Sequence, residues 1–379
     1  MQDKKKLRIV LVGPVYPYKG GIAHYTGLMY QALAKRHEVK MISYKMQYPK
    51  LLFKKEQRDY SADMFKVENT EFRIHTANPL NIISTGRYIR KLGADAVIIQ
   101  WWHPYFAPCY YILAKCLRHT KIIFVCHNVF PHERFPLDRK LTRMALRQGN
   151  CCIVQSGQDE EDLKTILKNP VYERTVHPTY DAFKYKNMTR EQARQLLQIR
   201  TKDKVLLFFG FVREYKGLKY LIRAMPAIRE RIEDVRLLIV GDFGEDKQNY
   251  LDLIEANGVG NVTDIYDGYI PDKEVERYFA ASDLVVLPYE SATQSGIVQI
   301  AYGFEKPVVV TDVGGLPDVV ADGRTGYVVE AKKPDKLAEA VIRFYEEGME
   351  EKFVNGVKQE AYRFSWDRMA ETIEKLIQT

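Results

Sequence analysis

The constraint that most limits how this chain can fold is a regular alternation of short, β-branched apolar runs with longer segments at helical period. In the C-terminal half, 205–209 precedes a helical 216–229, 235–240 precedes Lys247–Ala256, and a strand-like 262–266 precedes Asp272–Ala281. Leu284–Leu287, Val308–Thr311 and Gly326–Val329 continue the series. Strands apolar along their whole length are covered on both faces, which belongs to parallel sheets with crossover helices. The first half repeats the grammar with 7–12, a helical 22–35, 38–43, 94–100, a helical 110–118, Lys121–Cys126 and 151–155. The expected class is therefore α/β, built as two Rossmann-like doubly wound domains. At 379 residues the chain also exceeds one domain on a prior of roughly 150 residues each. The stretch 177–187 has little periodicity and reads as a linker. The expected domains are 1–185 and 186–364, with 365–379 as a terminal helical segment.

Charge divides the chain in the same place. Residues 1–150 carry a net +16 and residues 151–379 a net −8, within an overall +8. Basic and large apolar side chains interleave at 45–58 and 87–91. Such a mixture suits an anionic membrane surface, where each Lys or Arg contributes about 1 kcal/mol; a solvated basic face without a partner is the other reading. No nucleic-acid-binding motif accompanies the charge, so no nucleic acid is expected. No apolar run approaches the roughly 18 residues of a membrane span, and because the basic start Met1–Lys6 leads directly into the first strand, no secretory leader is expected. The expected location is cytoplasmic, with peripheral attachment to the inner face of the cell membrane. The five cysteines show no CxxC or CxxH spacing and read as buried thiols rather than metal ligands or disulfides.

Open α/β sheets bind ligands at the C-terminal ends of their strands, so chemistry is sought in those loops. After Leu284–Leu287 comes a loop of small polar residues, and Gly296 opens a helix. A helix N-terminus carries about half a positive charge and several unpaired donors, so a phosphate fits there. Thr293, Gln294 and Ser295, with Gly296 and Ile297, are expected to bind sugar or phosphate oxygens through hydroxyl, amide and backbone groups. In 210–217, Gly210 begins a turn that delivers Arg213 and Lys216 to a helix N-terminus, where two cations can clamp a diphosphate; ordinary surface bases are the alternative. Tyr269 and Ile270 lie on a strand-end loop able to sandwich a nucleotide base. In the first half, Gly20 and Gly21 stand at a helix entrance within neither a GxGxxG nor a P-loop, and either make a turn or admit a phosphate or sugar to the backbone. His127 and Asn128 follow a strand and can bond sugar hydroxyls or steady developing charge, while His127 can equally satisfy a buried backbone group. His132 and Glu133 lie five residues on, but Pro131 forbids a zinc-binding helix there, and no metal is expected.

With these residues in hand, the chain resembles glycosyltransferase family 4, retaining enzymes of the GT-B fold, along essentially its whole length. The resemblance rests on Gly20-Gly21, His127-Asn128, the Gly210 to Lys216-Gly217 turn, 307–317, 321–329 and the terminal Phe364-Ser365-Trp366. It implies two domains facing each other across a cleft, a nucleotide-diphospho-sugar donor held mainly by the second and an acceptor by the first. It further implies a terminal helix, 365–379, packed back on the first domain, and hexosyl transfer without metal or other cofactor. The implied acceptor is a glycan or lipid-linked molecule of cell-envelope polysaccharide synthesis. Two departures stand out. The family's arginine directly after the first glycine is Phe211 here, with Arg213 two residues on. The family's pair of glutamates falls on Thr293 and Ala301; Glu290 lies three residues before the first position and Gln299 two before the second. The catalytic candidates are thus His127, Arg213, Lys216 and Glu290, with a loop or structural carboxylate as the other reading of Glu290. A nucleotide-sugar epimerase or hydrolase of the same fold, or a non-catalytic nucleotide-sugar-binding partner subunit, are the alternative functions.

Overall fold

A computed structural model describes residues 6–51, 53, 56–60, 65–131 and 134–379. The chain divides into two units, Met1–Val176 with Ser365–Thr379, and His177–Phe364. The first runs β1 (Arg8–Val12), α1 (Gly21–Ala34), β2 (Glu38–Met46), β3 (Glu71–His75), α2 (Pro79–Lys91), β4 (Ala96–Trp101), α3 (Ala107–Cys116), β5 (Lys121–Cys126), α4 (Asp138–Leu146), β6 (Cys151–Val154), α5 (Gly157–Ile166) and β7 (Tyr172–Arg174). Its strands pair in parallel in the order β3-β2-β1-β4-β5-β6-β7. Successive side chains of a strand point to opposite faces, and both faces are packed. Val10, Val12, Ile99 and Phe124 join one core layer, while Ile9, Leu11, Ile98 and Ile123 join the other.

The second unit runs α6 (Arg190–Leu196), β8 (Lys204–Phe209), α7 (Leu218–Arg231), β9 (Val235–Gly241), α8 (Lys247–Ala256), β10 (Thr263–Asp267), α9 (Asp272–Ala281), β11 (Leu284–Leu287), α10 (Gly296–Gly303), β12 (Val308–Thr311), α11 (Leu316–Val319), β13 (Gly326–Val329), α12 (Pro334–Glu346) and α13 (Glu350–Glu360). Its parallel order is β10-β9-β8-β11-β12-β13. The order reverses between β8 and β11, as it does between β1 and β4 in the first unit. Such switch points open a crevice at the strand C-termini. The chain then ends in α14 (Trp366–Gln378), which belongs to the first unit. There Met369, Ala370, Ile373 and Leu376 pack with Ile9 and Leu11, Trp366 meets the edge of the Tyr25 ring, and Glu374 and Asp367 each accept from Arg36 at 3.1 Å.

The division differs from the sequence expectation by nine residues: the units part after Val176 rather than after residue 185. The stretch taken for a linker is fastened to the second unit. Tyr180 and Phe183 are buried, and the Tyr180 N–H donates to the Gln299 carbonyl at 3.4 Å. The buried Glu276 carboxylate accepts the N–H groups of Lys186 and Met188, both at 2.7 Å. The structure also adds β3, α2, α4, α5 and β7, which the sequence pattern did not separate. In β3 only Ile74 is buried, so it lacks the two-sided apolar signal. The basic stretch 87–91 is the end of α2, an amphipathic helix whose Ile82 and Ile89 face the core while Arg87, Arg90 and Lys91 are exposed. No helix among the described residues is long and apolar enough to cross a membrane.

At the opposite end of the second sheet, α6 is locked to the strand starts by a buried ion pair. Arg194 donates to Asp283 at 2.8 Å, and both side chains are only 5% exposed. The other Asp283 oxygen accepts from the Val205 N–H at 2.7 Å, and Arg194 also reaches the carbonyls of Ala281 and Thr201. Removing one member of such a pair strands the other charge in the interior, at a cost of roughly 3–5 kcal/mol. Asp283→Ala is therefore expected to lower the urea-unfolding free energy by that amount, with Asp283→Asn milder. A loss below about 1 kcal/mol, the size of an exposed pair, would contradict this role.

Candidate functional site

In the second unit the switch point is built by glycines that let three strand ends approach one another. Gly210, directly after β8, has φ +111°, and a Cβ there would lie 2.8 Å from the Lys216 ammonium and 3.6 Å from Ile297 at the start of α10. Gly217 is left-handed (φ +66°), and its Cβ would collide with the Pro288 carbonyl after β11, at 1.9 Å. A Cβ on Gly241, at the end of β9, would strike the Gly210 carbonyl at 2.0 Å. Between Gly210 and Gly217 a single 3-10 turn, Glu214–Lys216, brings the chain into α7.

This turn presents two cations that have no acidic partner among the described residues. Arg213 is exposed, and its guanidinium donates to its neighbour's carbonyl, Val212 O, at 3.2 Å. Lys216 folds back over Gly210, with its ammonium 5.7 Å from the Tyr289 ring centroid. It is half-buried, because the glycine and the buried tyrosine make a recess for it. Burial, aided by the nearby Arg213 charge, lowers its pKa to about 8. A desolvated ammonium beside a second cation is stabilised by an incoming anion.

The loop after β11 forms the facing wall. Thr311 donates to the Tyr289 carbonyl at 2.6 Å. The Gly315 N–H donates to the Thr293 carbonyl at 3.0 Å. Gly314 (φ +52°) is compulsory, since a Cβ there would lie 1.4 Å from the Ala292 carbonyl. Ser295 precedes α10 without making a side-chain cap; its hydroxyl lies 3.4 Å from that of Tyr289. Gly210, Lys216, Gly296 and Ile297 are thus brought to one place, with Arg213, Thr293, Gln294 and Ser295 on the loops around it. Tyr269 and Ile270 follow β10 at the same end of the sheet, and β10 is two strands from β8, about 10 Å along it; Tyr269 is exposed.

Glu290 stands differently from its neighbours. Its carboxylate accepts from Lys219 at 2.8 Å, Lys332 at 3.1 Å and the Tyr220 hydroxyl at 3.2 Å, while its N–H donates to the Tyr215 carbonyl at 2.6 Å. Burial works to raise its pKa, but the two lysines outweigh it and hold the group below the usual carboxylate range. The geometry is that of a clip joining the Arg213–Lys216 turn to the following loop. At the family's glutamate positions, Thr293 bonds through its backbone and Ala301 is buried. Gln299 is buried inside α10, and its side-chain oxygen has no partner among the described residues.

The first unit supplies a second group of candidates. Gly20 (φ +100°) caps α1, and nothing lies within 4 Å of where its Cβ would be; conformation rather than crowding calls for glycine there. Gly21 is exposed beside it and Asn128 is partly buried at the end of β5. His127 is only 4% exposed, with Nε2 2.8 Å from the Gln100 side-chain oxygen, its N–H on the Trp101 carbonyl, and its ring edge-on to Tyr25. The Tyr25 hydroxyl in turn accepts from Gln155 at 2.6 Å. His127 therefore sits in a buried polar string below the β1/β4 switch point. His132 and Glu133 lie outside the described residues. Tyr289, Gly241 and the Lys219–Lys332 pair were not singled out from sequence. Only Gly241, a glycine at a strand end, carried a readable signal.

Residues 19–177 match the family model described as Glycosyltransferase Family 4, and residues 189–377 match Glycosyl transferases group 1. An uncharacterized glycosyltransferase of Methanocaldococcus jannaschii is 34% identical over 47% of this chain and 45% of its own length. The chain thus spans about half the length of the first curated relatives it matches. Spore coat protein SA of Bacillus subtilis is 25% identical over 95% of both chains. Among solved structures, Anabaena HepE in complex with UDP-glucose superposes with a TM-score of 0.74, at 18% identity, over 98% of this chain and 100% of that one. Two doubly wound units, joined in the order of these two matches and sharing the fold of such structures, place the chain in the glycosyltransferase family.

Proposed function

We propose that this chain is a retaining hexosyltransferase that moves a sugar from a nucleotide-diphospho-sugar to a glycan or lipid-linked acceptor in cell-envelope polysaccharide synthesis. The observation that carries the proposal is the pair Arg213 and Lys216, two cations without an acidic partner among the described residues, set against Gly210 and the α10 N-terminus. Departure of the sugar leaves negative charge on the diphosphate, and preorganised donors aimed at that charge are the largest single contribution a protein makes to such a step. The similarity to a protein whose structure holds UDP-glucose supports a nucleotide-sugar donor.

On this reading the second unit binds the donor. Gly296 and Ile297 offer backbone N–H groups to phosphate, Thr293, Gln294 and Ser295 meet sugar or phosphate oxygens, and Tyr269 and Ile270 flank the base. The first unit takes the acceptor near Gly20, Gly21 and Asn128, where His127, bonded to Gln100, is the group able to bond sugar hydroxyls or steady developing charge. Glu290 acts through Lys219 and Lys332 rather than on the sugar. The departing phosphate oxygen accepts the acceptor's proton, so no second carboxylate is required, and the chain's own cations stand in for a metal. Peripheral attachment to an anionic membrane is supported by Leu51, Phe53 and Tyr60, exposed large apolar side chains beside the exposed Lys45 and Lys50.

Lys216→Ala is expected to lower turnover about a hundredfold or more, the usual cost of one preorganised donor, with unchanged circular dichroism; wild-type turnover in a folded variant would sink the diphosphate clamp. The pH dependence follows from the lowered pKa. The charged ammonium is lost as pH rises through about 8, whereas an ordinary lysine keeps its charge to about 10. Donor affinity should therefore fall above pH 8, and Lys216→Arg should move that limb upward; a donor Kd flat from pH 7 to about 9.5 would contradict the assignment. A chelator should leave sugar transfer unchanged, and restoration of chelated enzyme by a divalent cation would overturn metal-independent transfer. Consumption of nucleotide-sugar without acceptor would instead identify a hydrolase or epimerase.

A further inference from the structure

The first unit contains a cavity of about 290 Å³ at the N-terminal ends of β5 and β6, the end of the sheet opposite the switch point. It lies between the end of α4, the start of β6 and the loop that follows α5. Three basic side chains, Arg143, Arg147 and Lys168, line it beside the apolar Leu146, Ile166 and Val171, and no acidic residue lines it. All three cations are exposed, and none has an acidic or hydrogen-bonded partner among the described residues.

Basic residues at helix C-termini ordinarily serve the carbonyls and dipole of the helix end. Here other groups already do this. The Arg143, Ala145 and Leu146 carbonyls at the end of α4 accept from the backbone N–H groups of Arg147, Gln148 and Gly149. At the end of α5, Leu163 O accepts from Leu167 N–H and Thr165 O from the Arg139 guanidinium at 2.7 Å. The floor is rigid as well, since a Cβ on Gly149 would lie 2.6 Å from the Phe124 ring and Asn150 is bonded through its side chain and backbone to Ile122. Three cations therefore converge on a formed recess with no internal task.

We propose that this recess is a second anion site, separate from the donor site, which takes a phosphate group carried beside an apolar moiety. Arg143 and Arg147 supply planar, multidentate donors and Lys168 a point charge, while Leu146, Ile166 and Val171 cover the apolar part. The phosphate comes either from a soluble phosphate ester or from a lipid headgroup, and the two sources are separable.

The test uses the full chain and a variant carrying Arg143→Gln, Arg147→Gln and Lys168→Gln, each an exposed position whose change should leave folding intact. Binding of inorganic phosphate is followed by NMR or calorimetry with saturating UDP present, so that the donor site is occupied. Vesicles of phosphatidylcholine with and without phosphatidic acid form the second arm. The wild type is expected to bind phosphate saturably and the variant roughly a hundredfold more weakly, with UDP affinity equal in both. Variant-sensitive binding to phosphatidic acid vesicles assigns the lipid source; phosphate binding without vesicle binding assigns the soluble one. Equal phosphate affinity in both proteins, or no saturable binding at millimolar phosphate, overturns the site whatever the donor site does.

Discussion

An ammonium held in a partly desolvated recess beside a second cation is unfavourable unless something compensates it, and the second unit is built to hold Lys216 in that condition next to the exposed Arg213. The means are glycines. Gly210 leaves room for the Lys216 ammonium, Gly217 lets the turn pass the Pro288 carbonyl, and Gly241 admits the Gly210 carbonyl. A side chain at Gly217 or Gly241 would push against the backbone after β11 or β8, and one at Gly210 would displace the Lys216 ammonium. The stability that holds the cations in place comes from elsewhere in the unit, from a sheet buried on both faces and from the Asp283–Arg194 lock at its other end. Such a division is common where function requires local strain or unpaired charge.

The first unit treats its polar groups differently. His127 is enclosed, bonded to Gln100 and packed on Tyr25, so its orientation is set by the core rather than by solvent. The positive charge of that half is spread over exposed side chains such as Lys45, Lys50, Arg143, Arg147 and Lys168. Where one basic side chain has an evident internal role, as with Arg139 at the end of α5, its neighbours stand out for lacking one.

Much of the fold was legible because strands covered on both faces are apolar at every position. The bounds of β5, β11, β12 and β13 follow from that signal alone. Edge and mixed strands do not announce themselves in this way: β3 buries one residue in five and β7 none fully. The site was legible to the same depth. A glycine after a strand with two cations before a helix marks Gly210, Arg213 and Lys216. The counterions of Glu290 were not visible, because they come from Lys219 and Lys332, one far upstream and one beyond β13, and pairing across such distances leaves no trace in local spacing. The recess that half-buries Lys216 was hidden for the same reason, being made by Tyr289 from the loop after β11.

By itself the sequence determined the class of fold, the two doubly wound sheets and the loops where a phosphate can meet a helix N-terminus, since these depend on periodicity, apolar runs and glycine spacing along a local stretch. Only the tertiary structure decided which charges are already neutralised and which are left over. It paired the Glu290 carboxylate with Lys219 and Lys332, moved the domain boundary to Val176, and lowered the Lys216 pKa to about 8. Desolvation and long-range pairing produce those outcomes, and both are properties of packed neighbours rather than of sequence neighbours.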